Sequence, residues 1–269
     1  MSAVHAWYYT DPASPWCWAI EPHVRRLTVE LERELELTYV MAGIREIAPA
    51  AREASEWLEA SASSGMPVDV RLWLDGGPTT SYPACMAVKA AAEQGEPARY
   101  LRALREGFAF RRRRLDHAEA FESVARELGG LNLDRMRIDL GSHAILEAFG
   151  ADLERARAVP EEHQSPERGR VKIPSIEFRG EDGEVRGVYG PAPYEAYRDA
   201  AVAAGAELQD RPAPGVEEAL QRFGTMATVE VAAICDLPGP RAAAELWRLA
   251  SAWRVRPDPT LGGEMWSAA

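Results

Sequence analysis

The sequence predicts an α/β layer with an all-helical insertion, followed by a small C-terminal module. Three observations carry this. A strand, a helix and a second strand fit within the first 45 residues. A long helical stretch follows, and two further strands and a helix return near residues 173–204.

The first strand is Ala6 to Thr10, aromatic and β-prone. Asp11-Pro12-Ala13 turns the chain. Ser14 is a good N-cap, Pro15 suits the first helical position, and Ile20, Val24, Leu27, Leu31 and Leu35 follow at helical spacing. Pro22 removes an N–H in the second turn, so a kink is expected there. Glu36 to Ile44 alternates as a second strand, and the short βαβ unit predicts a parallel pair. Helices are expected from Pro83 to Gly95, from Pro97 to Phe110, from an Asp116 cap to Gly129-Gly130, and after caps at Asn132 and Ser142, the last fading near Val159. Residues 160–170 read as a polar surface loop. Ile173 to Phe178 and Glu184 to Tyr189 form a hairpin around Gly180 to Gly183, and Tyr194 to Ala204 is a helix.

The expected organisation is a domain over residues 1–208 with its helical insertion at about 80–160, a linker at 209–215, and a module at 216–269. In the module, Thr228 to Cys235 and Pro238 to Ala252 read as helices across Leu237-Pro238-Gly239. Arg254 to Trp266 reads as a hairpin, together a winged-helix-like pattern. Its five arginines face seven acids, so a packing or protein-docking role is favoured over DNA reading.

Composition narrows the function. The chain has 269 residues, 46% hydrophobic and 27% charged, enough for a core without staples. No apolar run is long enough to cross a membrane. The start has no basic and apolar leader pattern, and Cys17, Cys85 and Cys235 cannot form a disulfide framework, so a cytoplasmic protein with reduced thiols is expected. A net charge of −11 argues against nucleic-acid or anionic-membrane partners.

The chemistry concentrates in Thr10-Asp11-Pro12-Ala13-Ser14-Pro15-Trp16-Cys17-Trp18-Ala19-Ile20-Glu21-Pro22. A strand delivers this segment into a helix start, where free N–H groups and the helix dipole favour a thiolate. Thiol-disulfide enzymes place two sulfurs there, spaced Cys-x-x-Cys. The segment resembles the active-site stretch of the DsbA family, thioredoxin-fold proteins with a helical insertion. Thr79-Thr80-Ser81-Tyr82-Pro83-Ala84 is similar to that family's insertion start, and Val171-Lys172-Ile173-Pro174-Ser175-Ile176 to its cis-proline loop. The resemblance spans roughly residues 5–205 and is nearest to the cytoplasmic FrnE-like and YjbH (SpxH)-like members. The SpxH-like members are adaptors that present a transcription regulator to the ClpXP protease.

The resemblance implies a thioredoxin-like fold and a site made of Ser14 and Cys17 at the catalytic positions. Pro15, Trp16, Ile173 and Pro174 would hold a thiol or an extended peptide, with Trp16 exposed to the partner and Ile173 beside a cis bond. Ser14 stands where the family has its attacking cysteine. A serine hydroxyl forms no stable disulfide, so dithiol exchange is not expected. Cys17 would form a mixed disulfide only if exposed, and a Cys17–Cys85 pair is conceivable. Ser14-Pro15 also resembles kappa-class glutathione transferases, whose serine hydroxyl hydrogen-bonds a glutathione thiolate. The readings are therefore a thiol- or peptide-binding protein with a degenerate site, a protein-docking adaptor, or a glutathione-dependent transferase or isomerase. No metal and no resident cofactor are expected; glutathione or another small thiol enters only as a ligand. Arg111 to Arg114 is a basic cluster, read first as a solvated helix end and second as a docking patch.

Overall fold

The computed structural model describes residues 3–209 and 212–269. Asp210 and Arg211, in the expected linker, lie outside the described residues. Strand β1 (Val4–Thr10) leads into helices α1 (Pro15–Ala19) and α2 (Glu21–Glu30), then strand β2 (Leu35–Met41). Instead of one kinked helix there are two, parted at Ile20, since the Pro22 ring cannot donate to the Trp18 carbonyl. Helices α3 (Ala50–Ser64), α4 (Arg71–Leu74), α5 (Tyr82–Ala92), α6 (Pro97–Ala109), α7 (Ala118–Leu128), α8 (Leu133–Leu140) and α9 (His143–Arg157) follow. Two short strands, β3 (Gln164–Ser165) and β4 (Arg170–Val171), pair with each other, so the expected surface loop carries a small ribbon. The chain returns to the main sheet as β5 (Ser175–Arg179) and β6 (Val185–Tyr189), covered by α10 (Tyr194–Ala203).

The main sheet has the order β2-β1-β5-β6. β1 runs parallel to β2 and antiparallel to β5, and β5 pairs antiparallel with β6. This is the expected thioredoxin-like layer with its insertion between β2 and β5. Ala6, Tyr8, Ile176 and Phe178 pack against Val24, Leu27 and Tyr197 on one face. Trp18 joins the insertion core instead, with Trp57, Trp73 and Phe108. Trp73 stacks between Trp57 and Phe108 at 5.6 and 6.0 Å.

Helices begin at Ala50, well before residue 80. The α3 stretch is rich in Ala, Glu and Ser. It buries only Glu53, Ala54, Trp57 and Ala60, too thin an apolar stripe to announce a helix, and no side chain caps it. Asn132 and Ser142 cap α8 and α9 as expected, through bonds from the Arg135 and Ile145 amides. The cap position of α7 is His117, not Asp116. Asp116 instead accepts from Arg114 and faces the His117 ring.

After residue 212 come α11 (Val216–Phe223), β7 (Met226–Ala227), α12 (Thr228–Ile234), α13 (Gly239–Ser251), β8 (Val255–Thr260) and β9 (Gly263–Ala268). The last strands form a sheet in the order β7-β9-β8. This module packs on α2 through a buried ionic cluster. The Arg102 guanidinium donates to both Glu230 carboxylate oxygens at 2.8 and 2.9 Å, to Glu21 at 3.1 Å and to Glu106 at 3.1 Å. Arg25 also reaches Glu230, at 3.1 Å. Arg105 completes the cluster by donating to Glu21 and to the Thr10 hydroxyl.

Candidate functional site

The first functional side chain sits where β1 ends. Asp11 is wholly buried. Its carboxylate accepts from the Ala13 amide at 2.8 Å and the Ser81 hydroxyl at 2.5 Å. Ser81 in turn accepts from the Ile44 amide at 2.7 Å. The turn before α1 is thereby tied to the start of α5, two segments that the sequence singled out separately. Burial holds the Asp11 carboxyl above its ordinary range, opposed by these hydrogen bonds.

The turn presents Ser14 as the N-cap of α1. Its Oγ accepts from the Cys17 amide at 3.3 Å. α1 is only five residues long, so the expected helix dipole amounts to little more than these first amides. Ser14 is 4% exposed, and Cys17 is 0% exposed. Burial pushes the Cys17 thiol up from its ordinary value, with Arg105 and the Ser14 hydroxyl opposing. The thiol is thus neutral and out of reach, the reverse of an activated nucleophile. Cys85 is also fully buried and donates to Asp11 at 3.4 Å; burial and the Asp11 charge push it well up. Cys17, Cys85 and Cys235 are all free thiols, so the conceivable Cys17–Cys85 bond is not formed.

Trp16 is half-buried rather than exposed, while Trp18 is buried. The Trp18 indole donates to the Pro67 carbonyl at 3.0 Å, and the Arg102 guanidinium lies 4.4 Å above its ring. The two tryptophans are therefore divided: Trp18 anchors α1 to the insertion, and Trp16 faces the groove.

The Ile173–Pro174 bond is cis. Ser14, Pro15, Trp16 and Ile173 line one cavity of about 280 Å³. Cys17 and Pro174 do not line it; both are buried behind it. The sequence-predicted site therefore comes together as four wall residues and two supporting ones. The wall also holds Glu53, Arg168, Arg170 and Lys172, which sequence reasoning missed. Glu53 lies in the unread α3. Burial and the nearby Glu56 raise its carboxyl to about 7, against a hydrogen bond from the Trp57 indole at 3.0 Å. Arg170 and Lys172 flank the proline-loop motif, and their only signal was proximity to it.

Arg111 to Arg114 do not form a free basic patch. Arg111 pairs with Glu106 at 3.1 Å, Arg112 with Asp69 at 3.6 Å, Arg113 with Glu127 at 2.5 Å and Arg114 with Asp116 at 2.7 Å.

The family model described as Thioredoxin matches residues 7–162. The ClpXP adapter protein SpxH of Halalkalibacterium halodurans is 27% identical over 274 residues, covering 96% of this chain and 86% of the relative. SpxH of Bacillus subtilis is 25% identical over 97% of this chain and 87% of its own. Among solved structures, the cytosolic disulfide reductase DsbM of Pseudomonas aeruginosa superposes with a TM-score of 0.57 at 17% identity, over 74% of this chain and 98% of that one. At that identity the likeness concerns the fold.

Proposed function

This chain belongs to the thioredoxin family, and from that premise we propose that it is a non-catalytic docking adaptor of the ClpXP-adapter type. It binds a segment of a client protein in the groove beside α1 and does not run dithiol exchange. One observation carries the reading: among the described residues no sulfur lines the groove. The attacking position is Ser14, whose hydroxyl is engaged as a helix cap, and Cys17 is wholly buried with its thiol held neutral. What remains is a recognition surface on a thioredoxin frame. Relatives named as ClpXP adapter proteins align over nearly all of this chain, which supports the same reading.

Two measurements test it. The purified protein is expected to show no insulin reduction; clear turnover lost in Cys17→Ala would overturn the non-catalytic reading. Added to reconstituted ClpXP from the same source, it is expected to speed degradation of at least one substrate protein severalfold. If the half-lives of ClpXP substrates stay the same with and without it, the adaptor reading fails.

A second reading has its own observation. Ser14 shares the cavity with Arg168, Arg170 and Lys172, cations suited to the carboxylates of glutathione. Glutathione would supply a sulfur that the described lining of the groove does not, with the Ser14 hydroxyl beside it. A melting-temperature rise with millimolar glutathione, lost in Ser14→Ala, supports this transferase-like reading, and no shift argues against it.

A further inference from the structure

A second cavity, of about 450 Å³, adjoins the groove. Arg168 and Arg170 line both, so the two meet at the β4 edge. The outer cavity adds Arg45, Arg52 and Arg157. Arg52 is committed to Glu56 at 3.2 Å and Glu167 at 3.7 Å. Among the described residues Arg45, Arg157, Arg168 and Lys172 are exposed and form no ion pair. The two cavities together present six cationic side chains against four carboxylates, Glu46, Glu53, Glu56 and Glu167. One of these, Glu53, is half-protonated near neutral pH. In a chain of net charge −11 this is a local excess of positive charge.

Arg170 stands at the wall between the cavities, and it is the unusual member. It is 6% exposed, yet among the described residues its Nη2 has no hydrogen-bond partner, and Nη1 reaches only the Val171 carbonyl, at 3.3 Å. Asp11 acts on it through space but makes no ion pair with it. A buried guanidinium short of acceptors is costly to keep, and its charge is offset through space by the buried Asp11 carboxylate rather than by a hydrogen-bonded pair. A planar donor fork at the junction of two open cavities suits a carboxylate.

We infer that Arg170 is the specificity point of the docking groove and accepts an Asp or Glu side chain of the client segment, with Arg45, Arg157, Arg168 and Lys172 supplying the surrounding positive field. The inference rests on the docking reading and adds the class of client to it: an extended acidic segment, with acidic residues flanking the contact.

Calorimetry with a short capped peptide alternating Ser and Glu, and its counterpart with Gln for Glu, tests it. The Glu peptide is expected to bind at least tenfold tighter than the Gln peptide. Arg170→Met should lose at least tenfold for the Glu peptide and discriminate no longer, and Arg170→Lys should fall between. Arg170→Met also takes from the buried Asp11 carboxylate a positive charge that acts on it, so a lower melting temperature than the parent's is expected and binding is read well below the transition. Should it fail to fold, the exposed Arg168→Glu serves, with an expected loss of at least fivefold. Undetectable Glu-peptide binding, a tenfold preference surviving in Arg170→Met, or full affinity in Arg168→Glu would each overturn the inference. So would tighter binding of glutathione or inorganic phosphate than of the peptide. The ClpXP assay separates the two levels. If Arg170→Met delivers substrate as well as the parent, Arg170 has no such role and the docking reading stands. If the parent delivers nothing, the docking reading falls and the calorimetry still decides what Arg170 binds.

Discussion

Position 14 carries a hydroxyl that caps a helix. The Ser14 oxygen accepts from the Cys17 amide, the capping bond that holds the turn, but it cannot carry a disulfide. Ser14→Ala is expected to cost about 1 kcal/mol through loss of that cap, read as a lower urea midpoint. Glu53 makes a second residue-level prediction. Its carboxyl titrates near 4.5 in the unfolded chain and near 7 when folded, so between those values the folded protein holds a proton that the unfolded chain has released. Raising the pH through this window therefore removes stability. His23, held below its ordinary pKa by burial, acts in the opposite sense and is unchanged in Glu53→Gln. Urea midpoints at pH 5 and pH 8 should fall less in Glu53→Gln than in the parent; parallel behaviour of the two proteins would contradict the assignment.

Between elements, the link leaving β2 decides how the insertion docks. Gly43 has φ +66°, a conformation that side chains rarely adopt. A Cβ there would lie 2.8 Å from the Tyr82 ring and 3.1 Å from both Phe149 and Leu153, on α5 and α9. Gly43→Ala is therefore expected to destabilise by about 1–3 kcal/mol through strain and overpacking, visible as a lower melting temperature. Three helix caps of this molecule were legible in its sequence because capping is a local matter: Ser14, Asn132 and Ser142 each bond an amide three residues on, whereas the expected Asp116 cap gave way to His117. α3 was not legible, because Ala54 and Trp57 become a buried stripe only when Trp73 and Phe108 arrive from elsewhere. Its carboxylate at the groove was hidden with it.

Over the whole molecule, the C-terminal module is bound by charge as well as by apolar packing. Glu230 is wholly buried and satisfies Arg102 from the insertion and Arg25 from α2. A buried pair contributes little net stability, but breaking one is costly because the partner charge stays behind. Glu230→Ala is accordingly expected to lower unfolding stability by about 3–5 kcal/mol, whereas Glu245→Ala, on an exposed pair with Arg248, should change it by less than about 1 kcal/mol. Equal effects in equilibrium unfolding would show that the cluster does not hold the module.

The sequence by itself determined the α/β order, an interruption of the first helix near Pro22, the caps at Ser14, Asn132 and Ser142, and a hydroxyl rather than a thiol at position 14. These depend on local propensity and on the chemistry of single atoms. Only the tertiary structure decided that Cys17 is sealed off, that Trp16 and Trp18 part ways, that Arg111 to Arg114 are neutralised, and that Glu53 and Arg170 meet at the groove. Burial and charge compensation are properties of what packs around a residue, and those neighbours come from segments far apart in the chain.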